Sequence, residues 1–221
     1  MIIQGGMGVA ISDWRLARAV SRLGQLGVVS GTGLTRVATS RLTDGDRGGH
    51  MRRAIGTFAF QEPVQEVLRR YYVPGGKAPD APYKIPPTYT VRPSRFADQL
   101  TVIANYAEVF LAKQGHAGPV GINLLEKIQL PNLASIYGAM LAGVDYLLMG
   151  AGIPTQIAAV LDKLARHEPV SYRLDVQGAK SGDDVRIHFD PERLFPGIAR
   201  RIGRPSSAPL GQRLLVRAGS Q

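Results

Sequence analysis

Cysteine is absent from the 221 residues, which excludes disulfides, thiolate metal sites and a cysteine nucleophile. Its absence fits a reducing compartment. Long apolar runs are also missing: none approaches the ~20 residues that a membrane helix needs. Met1 leads into Ile2, Ile3 and glycines, with no basic segment ahead of a long apolar one, so no secretory signal is read. A cytoplasmic protein without membrane contact is therefore expected. Acidic residues are scarce, 17 against 27 lysines and arginines, giving a net charge of +10 and a pI near 10.2. The basic residues are scattered: Arg15, Arg18 and Arg22 share one helical stretch, while Arg52 with Arg53, Arg69 with Arg70, and Arg200, Arg201 and Arg204 lie apart. No basic run interleaves with aromatics, so solvated helix faces account for the charge better than a nucleic-acid surface does.

With 44% hydrophobic and 20% charged residues, the chain can build one domain with a real core. Residues 1–3 form an apolar run ending in glycines, which suits a buried parallel strand running into a tight loop. Ser12 is expected to cap a helix whose apolar positions are Leu16, Ala19, Val20 and Leu23, with Gly24 closing it. Residues 26–30 read as a second strand, completing a βαβ unit and implying a parallel sheet. The same rhythm resumes at Ser94. A helix is expected to about Gln114, with Phe96, Leu100, Ile103, Tyr106, Ala107 and Phe110 on one side and Gly115 as the stop. Then come a strand over 120–124, a helix opened by Pro131 and closed at Gly143, and a strand over 144–149. A helix over 155–167, a strand over 170–176 paired as a hairpin with 185–189, and a short helix capped by Asp190 follow.

The stretch between, near 35–93, is read as a surface excursion holding one short helix at 62–72. Six prolines between Pro74 and Pro93 exclude regular helix and central strand there. Residues 204–221 are read as a loosely ordered basic tail.

Three parallel strands are expected to end in small or amide residues: Gln4-Gly5-Gly6-Met7-Gly8, Gly121-Ile122-Asn123, and Gly150-Ala151-Gly152-Ile153-Pro154. Ligands of parallel α/β proteins bind outside the carboxyl ends of the strands. Glycine there admits a flat ring or a phosphate to the backbone. Tight turns and close helix–strand packing are the plain alternative. Lys127 and Gln129 read as solvated loop positions. Gly48-Gly49-His50 is set aside as a coincidental motif, and His116, His167 and His188 read as surface histidines.

These segments, together with Leu26-Gly27-Val28-Val29-Ser30-Gly31-Thr32, Pro119-Val120 and Gly143-Val144-Asp145, resemble the nitronate monooxygenase (2-nitropropane dioxygenase) family. The resemblance covers roughly residues 1–34 and 94–177. It implies an α/β fold, the N-terminal portion of a (β/α)8 TIM barrel, with residues 1–203 as a partial flavin-binding domain. It implies FMN as cofactor, contacted by Gln4, Gly5, Gly6, Met7, Asn123, Gly150 and Ala151. The reaction implied is oxidation of an alkyl nitronate with O2 to a carbonyl compound and nitrite. Each position also has a structural reading: Met7 as core, Asn123 as a cap, Gln4 as a partner for loop amides. The same half-barrel is shared with FMN-dependent enoyl reductases, the alternative enzyme reading. A closed barrel usually needs roughly 250 residues, and Ser206-Ser207-Ala208-Pro209 does not suit the next strand. The family's catalytic histidine and its phosphate loops, expected late in the barrel, find no counterpart, so no catalytic residue is assigned. A non-catalytic fragment acting as a binding module is the third reading. A homo-oligomer or a complementing C-terminal half is the expected partner of an open half-barrel, beside a small-molecule substrate.

Overall fold

A computed structural model describes residues 1–150, 156–178, 180 and 182–198, and the backbone of 214–216. Three strands, β1 (Gly27–Ser30), β2 (Val120–Leu125) and β3 (Tyr146–Gly150), form a parallel sheet in chain order, with Val29 beside Ile122 and Ile122 beside Leu147. Leu214–Val216 pairs parallel on the outer side of β3. Ile3 makes a single parallel bridge to Leu26 beyond β1. The architecture is mixed α/β, and the described residues form no closed barrel.

The crossovers explain the sheet. Helix α1 (Trp14–Arg22) precedes β1; the helices that follow it include α2 (Leu34–Thr43), α3 (His50–Gly56) and α4 (Gln61–Tyr71). The long α5 (Arg95–Lys113) delivers the chain to β2, and α6 (Asn132–Leu141) joins β2 to β3. The α5 helix packs on both α1 and α6, so the three lie side by side over one face of the sheet. Ser94 starts α5 by accepting from the Ala97 amide at 3.2 Å, and Gly115, at φ +75°, ends it. Gly143, at φ +73°, follows α6 in the same way.

Alternation along the strands divides the sheet into two unlike faces. Val29, Ile122, Leu124, Leu147 and Met149 point into a continuous core with the helices. The opposite face carries a small separate cluster of Leu26, Val28 and Leu148, with Tyr146 packed against it. Gly121 keeps that cluster tight: a Cβ there would stand 3.0 Å from Leu148 and 3.2 Å from Val28.

Several expectations are corrected. Residues 1–3 are not a buried strand; Met1 and Ile2 are more than two-thirds exposed. Asp13, not Ser12, caps α1, its carboxylate accepting from Arg15 and Leu16 amides. The α1 helix buries Trp14, Ala17 and Ser21, leaving the expected apolar face at Leu16 and Leu23 in solvent. The α5 helix is buried almost all round, and Asn105 Nδ2 donates inside to Thr101 O and Ser135 Oγ, while its Oδ1 has no partner among the described residues. The excursion contains α2 and α3, which the sequence reading did not separate from loop. Their polar, arginine-rich sequences carry little periodic signal.

The remainder follows the expected pattern. The 74–93 stretch has no helix or strand and is tied down by Tyr83 to Asp44 and Tyr89 to Asp98. Beyond β3, α7 (Ile157–Ala165) precedes β4 (Val170–Arg173), which pairs antiparallel with β5 (Arg186–Phe189) as a hairpin. Asp190 caps α8 (Pro191–Leu194). The expected loose tail lies outside the described residues except for 214–216, and no described helix is long and apolar enough to cross a membrane.

Candidate functional site

The carboxyl ends of β2 and β3 and the loop after Ile3 meet at Asn123. Gly6 is buried at φ +63°, a conformation that side chains rarely adopt. A Cβ on it would lie 2.4 Å from Val28 Cγ1 and 3.2 Å from Asn123 Cβ. Only glycine lets the loop cross the small apolar face this closely. The loop is pinned from two sides. Gln4 N donates to Leu26 O at 3.0 Å, and the Ser12 carbonyl accepts from Ser30 N at 2.9 Å.

Asn123 is 7% exposed. Its Nδ2 donates to Gly5 O at 2.8 Å and approaches Met7 Sδ at 3.2 Å. Its Oδ1 is buried with no hydrogen-bond partner among the described residues. A buried, unpaired amide oxygen costs about 1–3 kcal/mol, so its retention needs a reason. Gly150 lies alongside; a Cβ there would stand 3.8 Å from that oxygen. Glu126, three residues beyond Asn123, repeats the pattern. Its amide donates to Gly150 O at 2.7 Å, one carboxylate oxygen accepts from Tyr172 Oη, and the other is buried without a partner. Burial, followed by the hydrogen bond to Glu126, pushes the Tyr172 phenol well above its usual range, so Tyr172 remains a donor.

The expected cofactor positions therefore separate. Gly5, Gly6, Met7, Asn123 and Gly150 come together, with Met7 58% exposed and not in the core. Gln4 is committed elsewhere: its Oε1 accepts from Val28 N at 2.8 Å and its Nε2 donates to Ser12 Oγ at 3.1 Å. It satisfies a β1 amide and a hydroxyl, where loop amides were expected. Ala151 lies outside the described residues. Lys127 is exposed, whereas Gln129 accepts from the Asp175 amide at 3.0 Å and fixes that loop. Glu126 was missed; a carboxylate just past a strand end was the available signal. Among the histidines, His188 is exposed. His116 closes α5 through Ala112 O at 2.7 Å. His167 corrects the surface reading, being 6% exposed with Nδ1 at 2.7 Å from Tyr137 Oη. No metal-binding group of histidines and carboxylates occurs among the described residues.

Chemically, the cluster offers one acceptor, Asn123 Oδ1, with no partner among the described residues, beside two glycines and a thioether. That arrangement can receive N–H or O–H donors from the edge of a flat polar ring. The chain matches no family model, no curated protein and no solved structure.

Proposed function

We propose that the chain binds FMN at the Asn123 cluster and belongs to flavin oxidoreductases of the nitronate monooxygenase type. The unpartnered Oδ1 of Asn123, buried beside Gly6 and Gly150, carries this reading. The finer fold proposed with it is the N-terminal part of a TIM barrel, supported by parallel strands taken in chain order with helices on one face.

The donor set suits the ring of FMN. Asn123 Oδ1 would accept from a ring N–H, while Nδ2, held by Gly5 O, fixes the amide orientation. The missing side chain of Gly150 leaves room beside Asn123 Oδ1, while Gly6 lets the loop close over Val28. Met7 Sδ supplies a soft apolar edge. FMN, when bound, supplies the acceptor for two electrons from an alkyl nitronate and passes them to O2. The second oxygen of Glu126 is available to hold a proton or a substrate donor, and Tyr172 keeps the carboxylate oriented.

Anaerobic mixing of the FMN-loaded chain with propyl nitronate tests the substrate class. Bleaching of the oxidised flavin band in a single turnover is expected. Bleaching by NADH or NADPH alone would replace this reading with the enoyl reductase one, and no bleaching by either would leave a non-catalytic chain.

A further inference from the structure

A cavity of about 500 Å3 opens in the helical layer, lined by α1, the end of α2, the start of α3 and the Gly75-Gly76-Lys77 turn. None of its lining residues belongs to the Asn123 cluster. Its size falls in the range of about 300–1,000 Å3 common to small-molecule sites. Its floor is Trp14, whose ring lies 5.0 Å from His50 and beneath the Arg15 guanidinium at 4.3 Å.

Charge accounting leaves the cavity cationic. Arg15 and Arg41 share Asp13 at 3.0 and 3.3 Å, and Arg41 reaches buried Glu108 at 2.5 Å. Asp46 is consumed by the Met51 and Arg52 amides and the Arg52 side chain. Asp44 accepts from Tyr83 Oη, a neutral donor, and keeps its negative charge at the cavity wall, against four lining cations, Arg15, Arg41, Arg47 and Lys77. Arg47 and Lys77 have no carboxylate within ion-pair distance among the described residues, and both line the cavity; Lys77 Nζ donates to the Ala78 and Pro79 carbonyls at 3.2 and 3.1 Å and lies over the Tyr83 ring, contacts that leave its charge unneutralised. His50 Nδ1 lies 3.2 Å from the Arg53 guanidinium, which can only donate. A neutral His50 therefore carries its proton on Nε2. Burial, then Arg53 and Arg15, lower the His50 pKa, opposed by Asp46.

We propose that this cavity binds a small phosphomonoester, its phosphate held by Arg47 and Lys77 and its polar body lying in the space beside Trp14 and His50. A guanidinium fork and an ammonium suit a compact dianion. The volume exceeds what a bare phosphate needs. The assignment is independent of flavin binding.

Trp14 is the sole tryptophan of the chain, so its emission reports on the site. Titration of the full chain with ribose 5-phosphate, followed by emission and by calorimetry, should give saturable binding. Ribose should give none, and inorganic phosphate should bind more weakly than the ester. The double variant Arg47→Ala/Lys77→Ala, at one exposed and one half-buried position outside the helices and strands, should lose about tenfold or more in affinity while unfolding in urea as the parent does. The control Arg69→Ala/Arg70→Ala should bind as the parent does. No saturable signal by either method would overturn the proposal. So would equal affinity for inorganic phosphate, undiminished binding in the Arg47/Lys77 variant, or an equal loss in the Arg69/Arg70 variant.

Discussion

Ile122 and Asn123 are neighbours on one strand, yet they belong to different chemistries. Ile122 points into the core under α5 and α6 and is fully buried among apolar side chains. Asn123 points the other way, to a face where three buried apolar residues, two approaching glycines and an unpaired amide oxygen meet. The helix side pairs its buried carboxylate and the donors of its buried amide, while Asn105 Oδ1 is without a partner among the described residues. Glu108, 1% exposed, receives the Trp14 amide and Arg41, and Asn105 finds Thr101 and Ser135. The opposite side leaves the Asn123 acceptor open beside two glycines, with no partner among the described residues. Both faces carry an unpaired buried amide oxygen, and they differ in that the one on Asn123 lies at a strand end beside Gly6 and Gly150.

Breaking the helix side should have the largest effect. Glu108→Ala removes the acceptor of a buried amide and the partner of Arg41, so a loss of about 3 kcal/mol is expected in urea unfolding. A loss below 1 kcal/mol would show that the helix layer does not depend on this contact. Gly6→Ala should follow. A left-handed alanine costs roughly 1–2 kcal/mol, and its Cβ would meet Val28 at 2.4 Å. A total near 2–4 kcal/mol is expected from the same measurement. Unchanged stability would mean that the loop can leave the sheet freely.

Acid titration sharpens the contrast on the helix side. Burial, opposed by the Tyr89 hydrogen bond and by Arg193, raises the Asp98 carboxyl to about 6 from its ordinary 3.8. The folded chain therefore holds a proton that the unfolded chain releases between those values. Stability from this group is present below about pH 4 and falls as pH rises to about 6, by at most ~3 kcal/mol. Asp98→Asn should remove that component of the stability–pH curve. Parallel curves for parent and variant would contradict it. Asn123→Ala should have the smallest effect, within about 1 kcal/mol, because removing an unpaired buried oxygen offsets the lost contact with Gly5. A loss comparable to that of a core truncation would make Asn123 a structural residue.

Much of this was legible in the sequence, and for identifiable reasons. Ser94, Gly115, Pro131, Gly143 and Asp190 mark element ends with local chemistry, and each stands where expected. The hairpin of β4 with β5 followed from apolar–polar alternation around a Gly-rich turn. The approach of Gly6 to Asn123 was anticipated only as strand ends with shared character. What could not be read was long-range pairing. Glu108 sits 94 residues from Trp14, so nothing local indicates that this glutamate is buried or that Trp14 faces inward. The α1 face was misread for the same reason: helical spacing fixes which residues share a side, while tertiary contacts choose the side that is buried. The unpaired oxygen of Glu126 has no periodic signature.

The central claim concerns the face that carries Asn123, and the visible absorption spectrum tests it most directly. The purified chain would be incubated with FMN, desalted and scanned, beside Asn123→Ala and a folded Gly6→Ala variant. Retention of a protein-perturbed flavin band by the parent and its loss from both variants is the predicted result. A folded parent that keeps no flavin, or equal retention in all three, would contradict the assignment of this cluster as the cofactor site.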